Sequence, residues 1–328
     1  MRRQLGQLLR KHPEGGTITM VVLISVIFAV LTQGNWLSVG NLQSLAQLTA
    51  VLAIMSFGEA MVIATGEIDI SVGSVSGVCA LTFLGLAPVA GSFVALVAAL
   101  AVGMLIGMMN GVFVAVIGTP SLLATLGSLF LFQGIGYAAT SGFSFTATKA
   151  VRQQFTYNLF GGGDFCQVNT GLIWVLIILV VLHLLTFATP LGNRILAVGG
   201  DWASSFSRGI KVNRIKFGVL VLSGILAAFS GVLDAAFIGY ADGSFGATME
   251  LSSIAAAVLG GCHLAGGRIS LLGTLLGAFM LRGIQSFLVL LGVQPQWYIL
   301  VAGLIVVLAS LADRSLGRFA LGTARGKG

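Results

Sequence analysis

Apolar residues run along this chain in blocks of roughly twenty, and polar residues gather in the short gaps between them. A helix needs ~20 apolar residues to cross a hydrocarbon core. From Ile70 to Thr148 there is no Asp, Glu, Lys or Arg at all, so that run alone must hold several crossings. The blocks predict an all-α transmembrane bundle of about ten spans. The first five are Thr17–Gln33, Gln43–Thr65, Val72–Ala87, Ser92–Ile117, and a fifth that follows Thr119-Pro120 and reaches about Thr140. Then come Gly171–Thr189, Phe217–Ala236, Leu251–Ala265, Ile269–Leu291 and Trp297–Ala312.

The gaps carry the punctuation. "GNWLSVGN" after the first span reads as a short outer turn, and the polar stretch Ser141–Thr170, with Lys149, Arg152 and "GGGD", as an outer segment. The stretch Pro190–Lys216 is long and basic. Within it, "DWASSFSR" predicts a short helix, with Asp201 as N-cap and Gly209 as the terminating glycine. Most of the 46 glycines fall inside spans. "GMLIGMMNG" and "LLGTLLGAFMLRG" repeat small residues about four apart, the spacing that lets helix backbones approach in lipid. "GEIDISVGS" and the apolar run after it are weakly echoed by "GRISLLGT" and its own apolar run, as internal repeats in transporters can be.

Composition agrees with this reading. Only 8% of the 328 residues are charged and 57% are hydrophobic, with a mean hydropathy of +1.02; a soluble domain is ~25% charged. The net charge of +7 reports orientation, not nucleic acid. Four basic residues precede the first span (Arg2, Arg3, Arg10, Lys11), five lie between Arg194 and Lys216, and four between Arg314 and Lys327. By the positive-inside rule these segments face the cytoplasm, and both termini with them. The organisation is therefore a cytoplasmic tail 1–16, a membrane domain 17–312 and a tail 313–328 in a multi-pass inner-membrane protein. The first apolar block lacks a small-residue cleavage site and reads as a retained helix. Cys79, Cys166 and Cys262 have no motif spacing and read as small apolar fillers.

The candidate chemistry lies in "TGEIDISVGS". Gly66 and Gly73 interrupt the helix at a depth where freed backbone groups must be satisfied by protein or lined water. Asp69, with Ser71 and Ser74, is placed to cap the next helix and fix the bend; a direct solute or gating contact is the alternative. Glu59 and Glu67, eight residues apart, project within ~80° of one another on a continuous helix, and charges at membrane depth face a cavity or a partner. Asn110, Thr125 and Gln133 are uncharged polar groups that suit either a pathway lining or interhelical hydrogen bonds. His183 and His263 lack metal-ligand spacing, so neither a metal nor a bound cofactor is expected. No G-x-x-x-x-G-K-[ST] loop occurs, the sole "GK" being Gly326-Lys327, so the chain has no phosphate loop with which to hydrolyse ATP.

Four ordered stretches resemble the membrane permease subunit of ribose-type ABC sugar importers, a family that also includes other monosaccharide and autoinducer-2 permeases. They are "NWLSVGNL" at 35–42, "GEIDISVGS" at 66–74, "GGDWASSFSRGIKVNRIK" at 199–216 and "ELSSIAAAVLGGCHLAGGRISLLGT" at 250–274. The resemblance runs from about residue 35 to residue 313. It implies a second permease copy, two cytoplasmic ABC ATPase subunits that hold the ATP-Mg, and an extracytoplasmic solute-binding protein. It also assigns Gly199, Gly200, Asp201, Trp202, Arg208, Gly209, Ile210 and Lys211 to the segment that couples to the ATPase. Asp201 stands where the family usually has Asn, and Arg208 where it usually has Ser. Glu67 replaces a usual Gly, and Glu59, Asp234 and Arg282 are further departures. The expected pathway or gate set is Glu59, Gly66, Glu67, Asp69, Ser71, Gly73, Ser74 and Asn110. A compensating intramembrane pair is expected between Arg282 and Asp234 or, failing that, Glu59.

The leading expectation is a non-catalytic permease subunit of an ATP-driven importer of a small polar solute, a monosaccharide or polyol, working by alternating access. The alternative is an ion-coupled secondary transporter using Glu59, Glu67 and Asp69. An intramembrane enzyme would need a nucleophile or metal constellation that the sequence does not offer.

Overall fold

The computed structural model describes residues 14–165 and 168–294, together with 297, 298, 300, 301, 303 and 304. The basic tail residues Arg2, Arg3, Arg10, Lys11, Arg314 and Lys327, the cysteine at 166 and most of the tenth expected span lie outside them.

Lipid offers no hydrogen bonds, so the apolar blocks satisfy their backbones internally as helices. Helix α1 covers Glu14–Leu31, α2 Val39–Ala64, α3 Val72–Ala90, and α4 Ser92–Gly111, which a π-helical turn extends to Ile117. Then come α5 Ser121–Thr140, α6 Thr170–Ala188, α7 Pro190–Gly200, α8 Trp202–Ser207 and α9 Val212–Ile238. Helices α10 Met249–Leu259 and α11 Leu271–Leu290 follow. Seven of these (α2 to α6, α9 and α11) are long and apolar enough to cross a membrane. Two shorter apolar helices, Thr17–Leu31 within α1 and α10, are not.

Two expectations change. The eighth expected span, Leu251–Ala265, is not one helix: α10 has 11 residues and stops at Gly260, and Gly261 turns the chain at φ +94°. The basic stretch Pro190–Lys216 is helical for most of its length. Pro190 starts α7 with its fixed φ while Thr189 Oγ1 accepts from the Leu191 N–H, and α9 begins already at Val212.

Burial orders the bundle. The apolar windows of α2 and α9 are 89% and 78% buried, those of α5 and α6 only 17% and 22%, so α2 and α9 form the axis. Helix α9 packs on α4, α2 and α3, and α11 on α2 and α10. Glycine stripes set the separations. A Cβ at Gly107 would lie 2.7 Å from the Leu220 carbonyl oxygen of α9, and one at Gly111 would lie 2.7 Å from the Phe217 ring. On α11, a Cβ at Gly273 or Gly277 would overlap the carbonyls of Gly260 and Ala256. Both small-residue repeats are thus backbone-contact seams.

The helix ends sort into two clusters. One holds Ala64 to Ser71, Gly111 to Ser121, α7, α8 and the α10–α11 turn, tied by the Gly267 N–H to the Ala64 carbonyl at 3.0 Å. The five basic residues from Arg194 to Lys216 belong to this end. The other holds the residue 35–43 turn, the α3–α4 turn and the 141–170 segment. It is tied by Asn169 Nδ2 to the Gln43 carbonyl, by Ser92 to Gln154, and by the antiparallel pairing of Phe145–Thr146 with Tyr240–Ala241.

Candidate functional site

The acidic glycine motif forms the break between α2 and α3, and its hydrogen bonding can be accounted for group by group. Thr65 Oγ1 donates back to the Val62 carbonyl at 2.7 Å, and Gly66 takes φ +82°, turning the chain off the helix axis. Every N–H from Ile68 to Ser71 then finds a side-chain oxygen. Ile68 donates to Ser121 Oγ (3.3 Å) and Asp69 to Glu59 Oε1 (3.2 Å). Ile70 donates to Thr125 Oγ1 (3.2 Å) and Ser71 to Asp69 Oδ1 (3.0 Å). A buried non-helical backbone is affordable only when satisfied in this way.

From this loop a buried polar chain runs across three helices. Asp69 Oδ1 accepts from Ser71 Oγ at 2.6 Å and Oδ2 from Ser223 Oγ of α9 at 3.2 Å. Asn110 Nδ2 of α4 donates to Ser71 Oγ at 2.9 Å, and Ser128 Oγ of α5 donates to Asn110 Oδ1 at 2.5 Å. Glu59, Asp69, Ser71 and Asn110 are all buried to within 1%. Asp69 therefore ties down Ser71, the residue at which α3 begins, but the expected cap is not formed as such, since α3 has no side-chain cap hydrogen bond at its N-terminus. Glu59 braces the break from one helix turn below, and its Oε2 has no hydrogen bond. All four side chains are enclosed by packing.

Glu67 goes elsewhere. Because α2 stops at Ala64, its angular relation to Glu59 on a continuous helix does not apply. Its Oε1 lies 2.5 Å from Nζ of Lys216, the fifth residue of α9, both side chains being partly exposed. This is the only ion pair among the described residues, and it lines the same cleft as Trp202, Val212 and Pro120.

Three glycine motifs meet beside it. A Cβ at Gly199, near the end of α7, would overlap the Ala64 carbonyl. One at Gly266 would sit 2.7 Å from the Gly199 carbonyl and 2.9 Å from the Gly66 amide, and one at Gly267 2.9 Å from Gly200 Cα. Helix α8 springs from this junction. Asp201 Oδ1 accepts from the Ser204 N–H at 3.0 Å, and Gly209 closes it at φ +82°. On its outer side Trp202 and Phe206 are 64% and 69% exposed. Two large apolar side chains thus stand in the open on a six-residue helix, at an end carrying five basic residues.

Gly73 and Ser74 face away from the junction, toward the segment before α10. The Glu250 carboxylate occupies the space that a Cβ at Gly73 would need, and the Phe245 carbonyl does the same at Gly77. Ser74, Gln133 and Glu250 border a cavity of about 130 Å³ between α3, α5 and residues 243–250. Of the three polar residues singled out in the spans, Asn110 and Thr125 belong to the buried chain and Gln133 to the cavity.

The expected Asp234–Arg282 ion pair is not formed. Both side chains are buried. The Arg282 guanidinium instead donates to Gln285 Oε1 at 2.8 Å, one turn along α11, leaving Arg282 Nε and Asp234 Oδ1 without hydrogen bonds. Arg282 does not reach Glu59 either. Sequence reasoning missed Ser121, Ser128, Ser223, Lys216 and Glu250. For the first two a signal existed, since 121, 125 and 128 fall on one face of α5 at helical spacing.

Comparison with known proteins places these features in a family. The family described as "Branched-chain amino acid transport system / permease component" matches residues 41–310. The ribose import permease protein RbsC of Escherichia coli K12 is 36% identical over 300 residues, covering 90% of this chain and 92% of that protein. The autoinducer 2 import system permease protein LsrC of Escherichia coli K12 / DH10B is 33% identical over 311 residues, covering 94% and 89%. The LsrC of Yersinia enterocolitica is 31% identical over 311 residues, covering 92% and 82%. No solved structure matches.

Proposed function

Since this chain belongs to the branched-chain amino acid transport system / permease component family, we propose that it is the membrane half of an ATP-driven importer whose solute is a monosaccharide or a related polyol. It is a permease subunit like its import-permease relatives. In this reading a cytoplasmic ABC ATPase binds and hydrolyses ATP-Mg, an extracytoplasmic binding protein delivers the solute, and a second permease copy completes the path. The basic end is the cytoplasmic end, both tails lie there, and the chain crosses the inner membrane ten times.

The glycine junction carries the mechanism. Helix α8 offers Trp202 and Phe206 to the ATPase, and Gly199 locks the preceding helix onto the Ala64 carbonyl and, through Gly266, onto Gly66. These backbone contacts leave no side chain between them to absorb movement. A push on α8 therefore reaches the break at 65–71, and through Asp69 and Ser71 the buried chain to Asn110 and Ser128. That route would convert ATPase closure into a change of which side is open. The ion-coupled alternative is not favoured. It needs carboxylates open to an ion path, whereas Glu59 and Asp69 are sealed in packing and Glu67 is paired with Lys216.

The test is co-purification in mild detergent. Trp202→Ala with Phe206→Ala should abolish recovery of the ATPase subunit while the permease still inserts and elutes as a single species. An ATPase retained at wild-type yield would remove α8 as the contact.

A further inference from the structure

The segment from Tyr240 to Leu259 is a broken crossing, and its break is where the structure puts a cavity. Its first residues pair with Phe145–Thr146 at the outer end, while α10 ends at Gly260, packed against Gly273 near the basic end. Eleven helical residues span ~16 Å, about half of a ~30 Å hydrocarbon core. The N-terminus of α10 therefore lies near mid-membrane, with irregular chain above it. Such chain persists at that depth only where protein buries it or a cavity borders it, and here both hold. Residues 245–250 lie along the glycine face of α3, and the far side opens on the cavity of about 130 Å³.

The lining is chemically specific. Glu250 contributes a carboxylate, fitted against Gly73. Ser74 Oγ already donates to the Ser71 carbonyl at 2.9 Å, so toward the cavity it can only accept. Gln133 on α5 brings a carboxamide with no hydrogen bond among the described residues, whereas Thr125, Ser128 and Thr140 on the same helix all have partners. Phe132 and Phe245 supply ring surface, and no Lys or Arg borders the space. Thr248 sits at φ +69°, ψ −3°, a backbone region that a β-branched residue avoids and that tends to mark functional positions.

We propose that this cavity is a solute subsite for a neutral polyhydroxylated ring. Adjacent hydroxyls would donate to the Glu250 carboxylate, a third would meet the Gln133 amide, and the C–H face would lie on Phe245 or Phe132. With no Lys or Arg beside it, the carboxylate excludes phosphorylated or carboxylated sugars. The volume is well under the ~300–1,000 Å³ of drug-sized pockets, which suits one small ring. This subsite rests on the permease reading above and names the groups by which that path selects its cargo.

The experiment uses the assembled complex of this permease with its ATPase and binding protein in proteoliposomes, with ¹⁴C-labelled D-ribose, D-xylose and L-arabinose as probes. For whichever pentose the wild type accumulates, Glu250→Gln and Gln133→Ala should each lower the uptake rate about tenfold, the scale of one charge-assisted or buried hydrogen bond. Deoxygenating the sugar at the hydroxyl that Glu250 reads should slow the wild type by a similar factor and the Glu250→Gln complex hardly at all. That non-additivity is not something a merely misfolded variant would give. Unchanged uptake in both variants, or fully additive losses, would overturn the subsite and leave the permease reading intact. A wild-type complex that neither hydrolyses ATP nor takes up any pentose would instead overturn the permease reading itself.

Discussion

Lys216 and Glu67 form a partly exposed contact at the foot of α9, which fixes what their substitution can do. Exposed pairs contribute ~0.2–1 kcal/mol, and the 22% and 16% exposures of the two side chains put this pair toward the upper part of that range. Lys216→Glu should lower the melting temperature in detergent and slow uptake by setting two carboxylates together beside Trp202. Adding Glu67→Lys should recover most of both losses, while Glu67→Gln alone should leave the order of preference among solutes unchanged. A shift in solute preference on Glu67→Gln would return this residue to the transport path. Two carboxylates two residues apart thus serve different ends, and only one role was readable in the sequence. In "DISVGS" Asp69 stands two residues before Ser71, the spacing of an Asx turn, so a local hold of Asp69 on the chain before α3 was legible, although the cap expected there does not form. The partner of Glu67 lies 149 residues away, and no local spacing announces it. The projection linking Glu59 to Glu67 failed because it assumed helix beyond Ala64, and the expected Arg282–Asp234 pair failed because Gln285, one turn away, captures the guanidinium.

Elements meet in this bundle through glycine, with consequences that differ sharply by position. Gly107 stands where α4 crosses α9, with a would-be Cβ 2.7 Å from the Leu220 carbonyl and 2.9 Å from Val221 Cα. Those are backbone atoms, so the neighbour cannot rotate away. Overpacking usually costs ~1–3 kcal/mol, and Gly107→Leu should exceed that, giving a protein that inserts but melts well below the wild type and elutes as aggregate. Gly127 on α5 has nothing within 4 Å. Gly127→Ala should be neutral or raise stability by ~0.5–1 kcal/mol through helix propensity, as thermal melts of the purified proteins would check. Normal elution of Gly107→Leu would mean that the α4–α9 seam is looser than its backbone distances imply. Spacing in "GMLIGMMNG" was enough to mark a seam but not to name α9 as its other side. The converse holds for α10. Its apolar run continues past Leu259 into "GGCHLA", so composition extended the helix to Ala265, across Gly261, which takes positive φ.

At the scale of the whole molecule, the direction of the broken crossing decides how everything after it is oriented. If the chain enters at Tyr240 from the outer end and leaves at the α10–α11 turn on the basic end, α11 runs outward again and packs antiparallel to α2, which crosses the other way. The hydrogen bond from the Gly267 N–H to the Ala64 carbonyl supports this by holding that turn against the end of α2. In a background with the native cysteines replaced by alanine, Ser141→Cys should react with a membrane-impermeant maleimide on intact cells. Ala203→Cys in α8 and Ala265→Cys in the α10–α11 turn should react only after the membrane is opened. All three side chains are exposed, so a failure to label reports the side of the membrane and not burial. Labelling of Ala265→Cys from outside would make residues 240–265 a hairpin that returns to the outer surface. The glycine junction could not then exist, because Gly266 and Gly267 would lie across the bilayer from Gly199 and Gly66, and a push on α8 would have nothing to act upon.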